Sequence, residues 1–348
     1  MSLLRRRSVL GLLGASLGTS ALVRPSWAAP RTLVDSVGRN LVVPERATRI
    51  LAAGPPAAIL VYAMAPEAML GWVGPPADDA KPFLLPQARD LPATGRLTTR
   101  GQEPDLDHIA KLKPDLIVDF GSVAPNYVAL AEKIQKGTQV PYALIDGHLD
   151  KLPKTLRLAG DIMGRRERGD ALAAYAEQSL AKIDAVLARV PAPQRPRFYL
   201  ARGSDGLQSA IKGSGLTEVL ERAGGINAAE GPAQRGGAVT PTFDQVASWK
   251  PDIIVTFDQA AADAVRGDAG WKKITAGRRV LIAPTLPWGW LGEPPSLNQL
   301  LGLRWLASAF YPNEPRIDLV GEARDFHRLV YGVVPTDAAL AKLVEGAQ

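Results

Sequence analysis

Two arginine-glycine pairs have the chemistry of an anion site. Arg100-Gly101 lies in a loop that leads into a helix, and Arg202-Gly203-Ser204 follows directly on the strand-like stretch Arg197 to Leu200. A guanidinium fork beside free backbone N–H groups binds carboxylates, phosphate-like oxyanions and anionic chelates. A third element, "APTLPWGWLGEPP", carries Trp288, Trp290 and Glu293. Rings in a loop dense in proline and glycine are hard to bury, so they are expected either to cover a ligand or to cap the nearby core. Glu293 adds a carboxylate for a basic group or a metal. Arg100, Arg202, Trp288, Trp290 and Glu293 together form the expected ligand-binding set. No side chain is assigned as a metal ligand, and no resident cofactor is expected.

Catalytic arrangements are missing from the sequence. His108, His148 and His327 are scattered with no zinc-type spacing, and each reads as a surface or helix-end residue. Ser214 in "GSGL" is not a nucleophile elbow, and there is no phosphate loop of the GxxxxGK type. With no cysteine, the chain has no thiol nucleophile, no disulfide and no thiolate metal site. The expectation is a binding protein, with no enzymatic activity.

Two further acids are notable for where they recur. "DLDHIAKLKPDLIVDF" and "TFDQVASWKPDIIVTF" are two versions of one pattern, and Asp107 and Asp244, 137 residues apart, hold matching places in them. That spacing is too long for a stacked array and marks two similar lobes. In each copy, apolar positions at helical spacing run up to a Lys-Pro-Asp, where the proline turns the chain out of the helix. A β-branched run then forms a strand covered on both faces, which is one helix-to-strand step of an α/β fold. Each aspartate falls in the first turn of its helix, where it complements the helix dipole.

Bulk properties fit a two-lobed globular chain. The 348 residues are 46% hydrophobic and 22% charged, enough for two domains with cores. The formal net charge is +6, but residues 1–28 hold four arginines and no acid, leaving 37 basic against 35 acidic residues. So balanced a surface gives no footprint for nucleic acid. The basic start, the weakly apolar stretch after it and the "SWA" before Ala29 read as a secretory signal, and Arg6-Arg7-Ser8-Val9-Leu10 fits its twin-arginine type. The apolar run is shorter than the ~20 residues of a membrane span. A soluble periplasmic protein is expected, and without a cysteine it is not a lipoprotein.

The elements that must position these residues follow. A hairpin turns at Gly38-Arg39-Asn40, a strand follows at Arg49 to Ala53, and Gly71 to Arg100 is mostly loop. The remaining elements of the first lobe are the first repeat copy, a helix around Tyr127 to Gln135 and a strand from Tyr142 to Ile145. From Arg166 to Val190 apolar residues keep the 3.6-residue period of one long helix, on the order of 35 Å in length. The prolines of "PAPQRPR" end it. The expected division is a signal over 1–28, an N-terminal α/β lobe over 29–153, a connecting helix over 154–190 and a C-terminal α/β lobe with terminal helices over 191–348.

With this architecture, the paired "LKPDLIVD" and "WKPDIIVT", together with "GRLTTRGQEPDLDHIA" and "PPSLNQLLGLRWLASAFYP", resemble the substrate-binding proteins of ATP-driven importers for ferric siderophores, haem, cobalamin and related metal compounds. The resemblance spans essentially the whole mature chain. It implies the class III periplasmic-binding-protein fold, with two α/β lobes joined by a single long helix. It further implies a monomer that captures a metal chelate, ferric siderophore first, between its lobes. Asp107 and Asp244 would then dock onto arginines of an ABC permease in the inner membrane. Molybdate or tungstate, haem and cobalamin stay open as ligands, as does a periplasmic sensor or metal chaperone in place of a transport component.

Overall fold

The computed structural model describes residues 29–97, 103–292, 295–315 and 317–345. Residues 1–28, expected to be an export signal, lie outside the described residues, as do Arg100 and Glu293. The chain opens on the expected antiparallel hairpin, β1 (Arg31–Val34) and β2 (Asn40–Val43). Its turn is held by the buried Asp35, which accepts from the backbone of Val37 and Arg39 and pairs with the Arg39 guanidinium at 2.6 Å.

The first lobe comprises β3 (Ile50–Ala52), α1 (Pro55–Met64), the short α2 (Pro86–Arg89), α3 (Leu106–Leu112), β4 (Leu116–Gly121), α4 (Pro125–Thr138) and β5 (Tyr142–Asp146). Its strands are parallel in the order β3-β4-β5, and Met69 adds a parallel bridge on the free side of β3. Two helices, α5 (Leu152–Met163) and α6 (Arg166–Arg189), lead away from it. The second lobe contains β6 (Arg197–Leu200), β7 (Ser209–Ala210), α7 (Glu218–Arg222), β8 (Ile226–Asn227), β9 (Ala238–Val239), α8 (Phe243–Trp249), β10 (Ile253–Thr256), α9 (Gln259–Gly267), α10 (Ala269–Thr275) and β11 (Arg279–Ile282). Its parallel sheet has the order β11-β10-β6-β8. Helices α11 (Asn298–Phe310), α12 (Leu319–Phe326) and α13 (Asp337–Glu345) close the chain.

Both sheets are wound alike. In each, the first strand is flanked by the second on one side and the third on the other, with Met69 standing where β8 stands in the second lobe. The repeated Lys-Pro-Asp has one job in both. Asp115 accepts from the backbone of Thr48 and Arg49, while the Arg49 guanidinium bonds the carbonyls of Leu112 and Lys113 at the end of α3. Asp252 accepts from the Arg197 amide, and Arg197 bonds the Trp249 carbonyl at the end of α8. An arginine thereby satisfies open carbonyls at the negative helix end, and an aspartate fixes the entry to the first strand. Lys113 and Lys250, ahead of the prolines, both take left-handed backbone, with φ of 48° and 51°.

The connecting segment differs from expectation. Residues 154–190 do not form one helix, because Gly164 adopts a left-handed turn at φ +70° and separates α5 from α6. The two helices fold back on each other as a hairpin, with Arg157 of α5 reaching Asp170 and Glu177 of α6. The long helix is therefore α6 alone, 24 residues and about 36 Å. Its start is tied to the first lobe through Arg165, which bonds Glu67 and the Ala47 carbonyl. Farther along it reaches the terminal helices through Lys182–Glu322 and Arg189–Glu314.

One face of each sheet joins a common core that contains Ile50, Leu116, Val118, Phe198, Leu200, Ile253 and Val255. The opposite faces are covered within each lobe, one cluster around Ile109, Ile117 and Tyr142 and the other around Tyr199, Val246 and Ile254. Strands buried on both faces explain the unbroken β-branched runs.

Candidate ligand cleft

The carboxyl ends of the strands face a space between the lobes, where open α/β sheets leave room for ligands. A cavity of about 540 Å³ is lined on one side by Gly54, Pro55 and Pro56 at the start of α1, by Arg96, by Asp119 to Ser122 at the end of β4, and by Tyr127 from α4. Leu216, Gly292 and Pro295 line it from the other side. A second cavity, about 380 Å³, lies among the residues that follow β10 and β11: Phe257, Asp258, Gln259, Thr285, Pro287 and Trp288. Phe120 and Phe257, which end the two repeat copies, thus contribute a ring to one cavity each.

Local sequence explains these placements. Along β4, Val118 and Phe120 face the common core while Ile117 and Asp119 point the other way, toward Tyr142. The Tyr142 hydroxyl donates to Asp119 Oδ2 at 3.1 Å, deep in the wall. Burial dominates the Asp119 carboxyl and pushes its pKa up to about 6, against the lowering effects of the tyrosine and the Phe120 amide. The Tyr142 hydroxyl is pushed up by burial and by the adjacent carboxyl. Arg96 is exposed and, among the described residues, makes no ion pair or hydrogen bond. The start of α1 offers little to an anion, since Pro55 and Pro56 lack N–H groups and Gly54 supplies no cap.

The expected ligand-binding residues separate into three groups. Arg202 lies with its guanidinium 5.7 Å from the centre of the Phe257 ring, and its neighbour Gly203 donates to Asp258, which places it against the wall of the second cavity. Trp288 lines that cavity and is half-buried. Trp290 does not line either cavity. It is only 1% exposed, with its indole N–H bonded to the Leu286 carbonyl, because the loop folds inward over Gly302 and packs on α11. For Trp290 the cap over the core is therefore the correct reading. Arg100 and Glu293 lie outside the described residues. Asp107 and Asp244 are exposed in the first turns of α3 and α8. His327 ends α12 as expected but is fully buried, and burial holds its imidazole pKa down.

Arg96, Asp119 and Tyr127 were not among the expected site residues. Arg96 belongs to the "GRLTTRGQEPDLDHIA" stretch, four residues ahead of Arg100. Asp119 had a signal in the repeat itself, since it is a charge inside an apolar run whose second copy carries Thr256.

The ring of Trp288 also belongs to a larger assembly. It lies 4.9 Å from Trp72 of the first lobe and 5.9 Å from Tyr331, and Tyr62 of α1 is within 5.8 Å of both Trp72 and Tyr331. The buried Asn298 holds this group together, donating to the Trp288 carbonyl and accepting from the Tyr331 hydroxyl at 2.6 Å. An aromatic stack shared by both lobes thus adjoins the second cavity through Trp288.

Comparison with known proteins agrees with this architecture. Among curated proteins none matches the chain by sequence. An ABC transporter solute binding protein from Sulfurospirillum deleyianum is 25% identical with a TM-score of 0.81, covering 90% of this chain and 99% of that one. The molybdate-bound periplasmic binding protein MolA of Haemophilus influenzae is 21% identical with a TM-score of 0.67, over 88% and 99% of the two chains. A periplasmic heme binding protein from Pseudomonas aeruginosa is 23% identical with a TM-score of 0.58, over 78% and 95%. The sequence model described as "Periplasmic binding protein" matches residues 74–281, the segment that contains both repeat copies, the joining helix and most of the cleft. The chain belongs to the periplasmic binding protein family, whose members bind solutes and are not enzymes.

Proposed function

We propose that this protein is the extracytoplasmic solute-binding component of an ABC importer, and that it captures an anionic metal chelate, a ferric siderophore first, in the cleft between its lobes. The observation that carries this reading is the cleft itself. Cavities at the strand ends of both lobes bring together Arg96, a cation with no ion pair among the described residues, and the aromatic walls of Phe120, Tyr127, Phe257 and Trp288. An anionic chelate with an organic periphery uses both features, whereas a bare cation gains nothing from the arginine. Arg202 belongs to the same proposal from the second lobe, as do Arg100 and Glu293 on sequence grounds. Export by the twin-arginine route, a free monomeric state in the periplasm and docking to a permease through Asp107 and Asp244 complete it.

Trp288, half-buried beside the second cavity, supplies the test. Titration with ferric chelates, haem, cobalamin and molybdate, followed by intrinsic tryptophan fluorescence, ranks the ligand classes. A ferric chelate is expected to bind most tightly, and Arg96→Ala is expected to weaken it by ~1.5 to 3 kcal/mol through loss of a charge-assisted hydrogen bond. Chelate affinity unchanged in both Arg96→Ala and Arg202→Ala places the ligand elsewhere. Elemental analysis of protein purified from its native periplasm identifies the metal.

A further inference from the structure

We propose that Asp119 sets the chemical class of the ligand: it favours ligands that bring a hydrogen-bond donor or a positive group to the wall of the cleft, and it rejects oxyanions that carry only acceptors. This rests on the cleft being the ligand site, as proposed above.

Asp119 is 7% exposed and lines the larger cavity. Tyr142 from β5 bonds it, and Tyr127 from the first turn of α4 and Arg96 from the loop ahead of α3 line the same cavity. Among the described residues it forms no ion pair. The cation behind Tyr142, Arg39, is occupied by Asp35 and by the Tyr142 carbonyl. One hydroxyl and one neighbouring amide leave a carboxylate with acceptor capacity to spare, and a buried carboxylate short of partners costs free energy. A ligand donor would supply what the fold withholds, whereas a fully deprotonated oxyanion drawn in by Arg96 would meet a second negative charge in a site of low polarity.

The second lobe shows that the fold does not need this carboxyl. The position equivalent to Asp119 is the neutral Thr256, and the strand position equivalent to Tyr142 is Val280, as the pairing of Ile117 with Tyr142 and of Ile254 with Val280 establishes. The same helix-to-strand step is built there without the pair. The polar pair is therefore an addition confined to the lobe that carries the larger cavity. Its charge also titrates within reach of ordinary buffers, since burial pushes the carboxyl up to about 6.

Calorimetric titration of wild type and Asp119→Asn with two probes tests this. Molybdate offers only acceptors at pH 7.5, and ferrioxamine B is a ferric trihydroxamate with a free ammonium group. At pH 7.5 Asp119→Asn is expected to bind molybdate at least about tenfold more tightly than wild type and ferrioxamine B about tenfold more weakly, the change that one charge-assisted contact produces. At pH 5.0 wild type is expected to approach the variant for molybdate. Asp119→Thr, which copies the second lobe, is expected to follow Asp119→Asn and guards against a folding artefact.

Equal molybdate affinity in wild type and both variants at pH 7.5 overturns the proposal, and so does ferrioxamine B binding that ignores the substitutions. If neither probe binds any of the proteins the proposal also falls, because a cleft that keeps Arg96 and lacks the carboxylate must then admit an oxyanion. The cleft reading stands or falls separately, on whether metal recovered with the periplasmic protein is lost from Arg96→Ala.

Discussion

Asp119 carries a cost that folding alone would not select. Its pKa rises from 3.8 to about 6 because burial penalises the charged form, so the folded state holds its proton more tightly than the unfolded chain. The sign follows from linkage: this group favours the folded state most below pH 3.8, and the advantage is lost as pH rises through about 6. Above that pH the ionised carboxyl opposes folding by about 2–3 kcal/mol. Asp119→Asn keeps an acceptor for the Tyr142 hydroxyl and cannot ionise. It is therefore expected to melt higher than wild type at pH 7.5 and to show little gain at pH 4, as followed by circular dichroism. A variant less stable than wild type at pH 7.5 would mean that the cleft wall depends on the charge. In the sequence, the charge of Asp119 inside "LIVDF", against Thr256 in the second copy, was a signal that the position differs between the lobes, but which strand end borders the cavity is encoded by no local pattern. Asp115 and Asp252 were equally legible as letters, but their role as clamps on Arg49 and Arg197 needed the parallel register of the strands.

At the scale of elements, the repeat and the period of α6 were legible because helix and strand periodicity are local properties of the chain. The loop after β11 was not. Its two tryptophans share a composition but part company in space, Trp288 toward the cleft and Trp290 into the core. The cause lies on a different element: α11 carries Gly302 where a β-carbon would come within 2.1 Å of the Trp290 carbonyl, so the loop sits directly on the helix. This separation gives a prediction. Trp290→Ala is expected to destabilise the protein by ~3–5 kcal/mol, as removal of a large buried ring does, while ligand affinity per folded molecule is retained. Trp288→Ala is expected to cost less stability and to remove much of the fluorescence response to ligand. Denaturant melts alongside titrations decide the matter, and a Trp290→Ala protein of wild-type stability would contradict the buried placement. The sequence placed the long helix from Arg166 onward, as found, but not the separate α5 folded back on it, since only the left-handed turn at Gly164 reverses the chain.

The whole molecule has two matching lobes, and its surface charges follow the match. Asp107 and Asp244 occupy equivalent first turns, and under the proposed docking they would present one negative charge from each lobe to a partner with two-fold character. Exchanging both for lysine is expected to abolish uptake while leaving ligand affinity within a few-fold of wild type. Collapse of binding in that variant would assign the acids to the cleft or the fold instead. The same pairing of lobes bears on motion. For the lobes to swing apart, α6, the aromatic stack shared by the lobes and the bonds of Leu149 to Glu218 and of Asp150 to Arg222 would have to be deformed or broken, and all of them resist it. Arg165 anchors one end of α6 to the first lobe and Arg189 the other end to Glu314. Arg168, in the first turn of α6, bonds the carbonyls of Ala63 and Leu329 and so ties the helix to α1 and to the turn that follows α12. Trp72 and Trp288 come from opposite lobes, and a wide opening would have to pull their rings apart and expose buried aromatic surface. Small-angle scattering of the free and chelate-loaded protein is therefore expected to give radii of gyration near 20 Å that differ by only a few per cent. Trp72→Ala, which removes one half of the contact between lobes, is expected to widen that difference. A large compaction on ligand binding in the wild type would show that the lobes rotate about a joint other than α6, and that the aromatic stack between the lobes opens and closes with the ligand.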